Sequence, residues 1–197
     1  MAENPKWLGA LLVSAVVVAI SAWLMPFELF TQLQRQAALE SGANAPELPD
    51  AALRWLRIAI PIFGALSVLL GTCLVALLYT VLFQFILGDE GTYRQYLAVL
   101  AHASFITASI GLLLTPLRIQ TGDLQLTLSI ANFLVFLPEG YVLNVFRVIG
   151  LTQIWSMLIV AQGVHAIDPR RTFKSAATIL FVILVARALV FGRFLPT

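Results

Sequence analysis

The chain has 197 residues, 60% of them hydrophobic and 11% charged, with a mean hydropathy of +0.92; a soluble globular domain carries about a quarter charged residues, which excludes that class. Twelve Lys and Arg against ten Asp and Glu leave a net charge of +2 with no basic patch, and this argues against nucleic acid as a partner. The only cysteine, Cys73, lies inside an apolar run, so there is no disulfide framework and no cysteine metal cluster.

Apolar runs recur from one end to the other, so residues 1–197 are expected to form a single all-α transmembrane domain with the lipid bilayer as its surroundings. The first run, 7–25, is opened by Lys6 and closed by Pro26; as a helix it covers roughly 28 Å, enough to cross the hydrocarbon layer. A signal peptide has a similar outline, but its apolar region is about 7–15 residues, shorter than this one. Residues 27–56 form the polar connection, with Leu29, Leu33 and Gln36 at helical spacing and breakers through Ala43–Pro49 that end one helix and start another at Asp50. A helical hairpin at the interface is expected there.

The second run, 58–87, has no charge and is longer than a crossing requires, so it must tilt, bend or protrude. Pro61 falls in its first turn, where proline is tolerated. Gly64, Ser67 and Gly71 line one face with small residues, which suits close helix packing within the chain or between two copies. After the turn 88–92 come a third span at 96–117, a fourth at 142–166 with Arg147 early in it, and a fifth at 173–191 containing Arg187. The segment 124–137 covers only about 21 Å as a helix. Its first half alternates apolar and polar residues, so it is expected to be interfacial or re-entrant, giving a bundle of five crossings. If it crosses, the spans number six.

Basic residues set the orientation weakly. With the amino terminus inside, Lys6, Arg94, Arg170, Arg171 and Lys174 are cytoplasmic, and Arg35, Arg54, Arg57, Arg118, Arg147 and Arg193 are outside. The short loop Arg170-Arg171-Thr172-Phe173-Lys174 carries the densest cluster, and short loops dominate the positive-inside rule, so the amino terminus is placed in the cytoplasm.

Three strings resemble the Yip family of Ypt/Rab-interacting multi-pass membrane proteins, bacterial type. They are Gly91-Thr92-Tyr93-Arg94-Gln95-Tyr96 leading into Leu97–Ile106, then Ile130-Ala131-Asn132-Phe133-Leu134, and then Ile149-Gly150-Leu151-Thr152-Gln153-Ile154-Trp155 followed by Lys174-Ser175-Ala176. The likeness covers about residues 5–192 and rests on the order and spacing of the strings. Gly150 stands where that pattern has an acidic residue, so no role of that carboxylate carries over. The resemblance implies a five-span bundle that acts without catalysis in membrane organisation or protein interaction, here in a bacterial inner membrane.

Several polar residues within the spans are candidates for function. His102 shares a helix face with Gln95 and Ser109, each seven residues away. This stripe either lines an ion path or places a neutral histidine against a neighbouring helix. Gln84, Gln153 and Gln162 suit interhelical hydrogen bonds. Arg187 lies near the end of the last span, within snorkelling reach of the interface. Its alternative partner is Glu139, for which Arg147 competes. Motifs for nucleophilic, zinc-dependent or phosphate-binding enzymes are missing, so no catalytic residue, cofactor or metal is assigned. The rival reading is a small ion or solute transporter with a polar path through His102, Ser109, Gln84 and Gln153. A third, an enzyme acting on lipid, would need acids or histidines converging at one interface.

Overall fold

A computed structural model of the chain describes residues 6–40, 42, 49–123, 126–134 and 136–195, so the breaker segment 43–48 and Leu124, Gln125 and Val135 lie outside the described residues. Among these the structure is 80% helix without a strand. Three helical stretches, Ala51–Ile86, Tyr93–Thr121 and Phe173–Phe191, are long and apolar enough to cross a membrane, and two shorter apolar helices accompany them.

The first of the shorter helices, α1, spans Leu8–Leu24 and stops where Pro26 forces Met25 into an extended conformation. α2 covers Phe27–Glu40. α3 begins at Asp50, as the caps predict, and continues without a break to Thr80, so it is longer than the apolar run alone suggested. Pro61 consequently sits in the interior of α3, not in a first turn. There it deletes one backbone hydrogen bond of the ladder. The helix then widens into a π turn at Val81–Ile86, closed by the Leu87 N–H on the Leu82 carbonyl at 3.0 Å.

α4, Tyr93–Thr121, is the central element. Its residues from Tyr96 to Ala101 are all buried, so neighbours surround it at that level. It opens with Thr92 and Gln95 capping one another and ends on Gly122 in the left-handed conformation (φ 70°), which glycine adopts without steric cost. The fourth predicted span is not one helix. It is α5, Tyr141–Val148, followed by α6, Leu151–Ile167, with Ile149 and Gly150 extended between them. α7, Phe173–Phe191, completes the set, its first turn capped by the Thr172 hydroxyl on the Ser175 N–H at 3.2 Å.

Pairwise contacts fix the helix directions. Ser14 meets Ser104 and Ser21 meets Thr115, so α1 and α4 run the same way. Val99 of α4 faces Gly163 of α6, and a Cβ on that glycine would overlap the Val99 side chain, so only glycine allows this approach. Arg57 lies over the Trp23 ring at 6.0 Å, which sets α3 antiparallel to α1. The apolar helices α1, α3, α4, α6 and α7, three long and two shorter, thus alternate in direction. One end of the bundle carries Trp7 and the loops 87–92 and 168–172. The other carries Met25, Gly122, the break at 149–150 and Gly192.

Candidate functional site

Two loops meet at the first end. The π turn lets the chain after α3 fold back, with the Asp89 N–H on the Phe83 carbonyl at 2.8 Å, and Phe83 stacks on Tyr96 at 6.1 Å. This brings Asp89 and Glu90 under the α6–α7 turn. Arg171 Nε donates to both oxygens of Asp89 at 3.0 and 2.9 Å and Nη2 donates to Oδ1, so two nitrogens of the guanidinium grip the carboxylate in the bidentate manner. Its remaining nitrogens reach the Leu87 carbonyl at 3.3 Å and the Ser175 hydroxyl at 3.4 Å. Asp168, whose side chain is 5% exposed, accepts the backbone N–H of Glu90 at 2.8 Å and of Arg170 at 2.9 Å. Those two backbone donors, followed by the Arg170 charge, hold the Asp168 carboxyl below the usual carboxylate range. Arg170 also pairs with Glu90 in solvent. His165 closes the loop through Nδ1 and the Arg171 carbonyl at 2.8 Å.

In the sequence both segments read as turns, and Arg170 and Arg171 as an orientation signal. Their pairing with Asp89, Glu90 and Asp168 leaves only a faint trace there, an acid pair in one short loop and a basic pair in another. Asp168, at a helix end beside Pro169, is the C-cap of α6, and its carboxylate in addition bridges the two loops. Gly91 lies against the Tyr96 ring, where a Cβ would come within 2.8 Å of the hydroxyl. That hydroxyl is buried without a hydrogen-bond partner among the described residues.

The predicted polar stripe does not converge. His102 is exposed, and its Nδ1 bonds the Ala98 carbonyl of its own helix at 2.7 Å. Ser109 bonds the Phe105 carbonyl at 2.8 Å, and Gln95 is consumed in the cap of α4. Gln84 sits half-buried in the π turn, and Gln162 is exposed. Among the described residues none of His102, Ser109, Gln84 and Gln153 hydrogen-bonds another.

At the opposite end, Arg187 takes Gln153 as its partner, Nη2 to Oε1 at 2.8 Å. Glu139 goes instead to Arg147 at 4.0 Å, and Arg147 also reaches Asn144 Oδ1 at 3.1 Å. Asn144 is fully buried and donates to the Leu195 carbonyl at 3.2 Å, while Tyr141 donates to the Leu189 carbonyl at 2.8 Å, stapling α5 onto the end of α7. The described part of 124–137 has no helix up to Ser129, which is extended, and then makes one 3-10 turn, Ile130–Phe133. It is pinned to the helix break by Ile130 N–H on the Ile149 carbonyl at 3.0 Å and Leu151 N–H on the Leu128 carbonyl at 2.7 Å.

Between α1, α3 and α4, with Ser156 of α6 at the back, runs an open groove of about 700 Å³. The small-residue face of α3 lines it. A Cβ on Gly64 would lie 3.4 Å from Val18 Cγ1, as on a close-packing face, but a Cβ on Gly71 would meet nothing within 4 Å, so that face is only partly covered.

Comparison of the chain with protein families, with curated proteins and with solved structures returned no match.

Proposed function

We propose that the chain is a non-enzymatic, five-crossing protein of a bacterial inner membrane that organises membrane components or engages other membrane proteins, the role the Yip resemblance implies. The alternating directions of its five apolar helices, three long and two shorter, support an odd number of crossings, and the interfacial reading of 124–137 is supported by a described stretch too short and too irregular to span. The amino terminus, with Arg94, Arg170, Arg171 and Lys174, is assigned to the cytoplasm by the positive-inside rule. At Gly150, the N-cap of α6, an acidic residue as in the Yip pattern would serve as a capping group.

One observation carries the choice of a non-transporting role: the polar side chains within the apolar helices bond carbonyls of their own helix or single neighbours, and among the described residues they leave no linked polar route. One feature favours the transporter reading, the break at Ile149–Gly150 beside an irregular segment, an arrangement that discontinuous transporter helices also use. Ion and proton flux through purified protein in liposomes separates the two. We expect flux equal to empty liposomes for both wild type and His102→Ala; flux above that control, lost on removing His102, would establish the transporter instead.

A further inference from the structure

We propose that the groove between α1, α3 and α4 binds a phospholipid, one acyl chain lying along the groove and the phosphate held by Arg118. The inference rests on the membrane reading above. A groove of about 700 Å³ falls in the roughly 300–1,000 Å³ range of small-molecule sites. Of its lining hydroxyls, Ser21, Ser67, Ser104 and Thr107 are spent on the protein, and Thr72 and Ser156 are the two left over among the described residues. Ser67 donates to the Gly64 carbonyl at 2.8 Å, Ser104 to Ala101 at 2.9 Å and Thr107 to Ala103 at 3.2 Å, so what faces the space is mainly methyl and methylene surface. A polar solute would find few free partners there, whereas a hydrocarbon chain needs none.

The charge at the mouth selects the head group. Arg118, in the last turn of α4, lines the groove and fixes its Nε on the Leu126 carbonyl at 3.0 Å. Its two terminal nitrogens have no protein partner among the described residues, leaving a fork matched to phosphate. The depth is right for a head group. Met25 lines the same mouth, and Trp23 with Arg57 across it sits at this end of the bundle, the aromatic and cationic pairing that belongs at a membrane interface. A phosphate fork continuous with an apolar channel fits a phospholipid better than free phosphate, which would leave the groove empty, or a second copy of the chain, which would leave the fork unused.

The test begins with washed membranes from cells expressing the full chain. Absence from them contradicts the membrane reading itself; presence allows the lipid site to be judged separately. Protein extracted in mild detergent is then examined by native mass spectrometry, alone and with added phosphatidylglycerol. Wild type is expected to retain one phospholipid. Gly71→Leu and Gly111→Leu, which project into open space and should not disturb the fold, are expected to lose it with helicity and melting temperature unchanged. Arg118→Ala should weaken phosphatidylglycerol retention about tenfold, with Arg118→Lys restoring part of it. Equal retention by wild type and both groove-filling variants would overturn the proposal, as would a lipid-free dimer that those variants dissociate, or phosphate displacing the lipid without loss of affinity.

Discussion

Arg171 places its guanidinium on Asp89, the Leu87 carbonyl and the Ser175 hydroxyl at once, and both charged side chains are largely buried, 18% and 6% exposed. Removing one partner of such a pair strands the other charge, which costs about 3–5 kcal/mol, while replacing both by apolar residues of similar volume is often close to neutral. Asp89→Ala should therefore lower the melting temperature in detergent well below that of wild type, and Asp89→Leu combined with Arg171→Met should recover most of the loss. Recovery absent from the double variant would mean that the loops are joined by something other than this pair. The identities of these residues are plain in the sequence, but their partnership is not, because Asp89 and Arg171 are 82 positions apart and only the π turn after α3 brings them together. His102 illustrates the reverse. Its seven-residue spacing from Gln95 and Ser109 is real, yet a shared face says nothing about which neighbour that face meets, and here His102 points outward and bonds its own helix.

Among the elements, those delimited by strong local chemistry were legible: Asp50 starts α3, Pro26 ends α1, and the irregular character of 124–137 follows from its length and alternation. The α5–α6 break was not. Apolar residues continue through it, and hydrophobic pattern cannot distinguish a buried extended pair from a buried helical turn. What holds the break is tertiary, the bridge to Leu128 and Ile130. Gly150 has φ −79° and ψ 142°, a conformation open to proline, and its N–H reaches only Gln153 Oε1 at a long 3.5 Å. Gly150→Pro should thus change stability by no more than about 1 kcal/mol. In a continuous helix the same substitution would cost about 3 kcal/mol or more, so a large loss would restore the single fourth helix that the apolar pattern suggests.

For the molecule as a whole, composition and the recurrence of apolar runs point to a helical membrane protein, and the structure supplies three helices long and apolar enough to cross one and the arrangement of the bundle: α4 at the centre, α1 and α3 beside it, α6 against its far side and α7 outermost. That arrangement places Lys6 and the α6–α7 loop at one end and Thr127 and Arg193 at the other. The central claim is that this alternation corresponds to five crossings of a membrane, and thiol labelling tests it directly. In a Cys73→Ser background, single cysteines at Lys6, Lys174, Thr127 and Arg193, all exposed, are treated with a membrane-impermeant maleimide in intact spheroplasts and in inverted vesicles. The account predicts that positions 6 and 174 label only in inverted vesicles and positions 127 and 193 only in spheroplasts. Labelling of positions 6 and 193 from the same side would mean an even number of crossings and would contradict it.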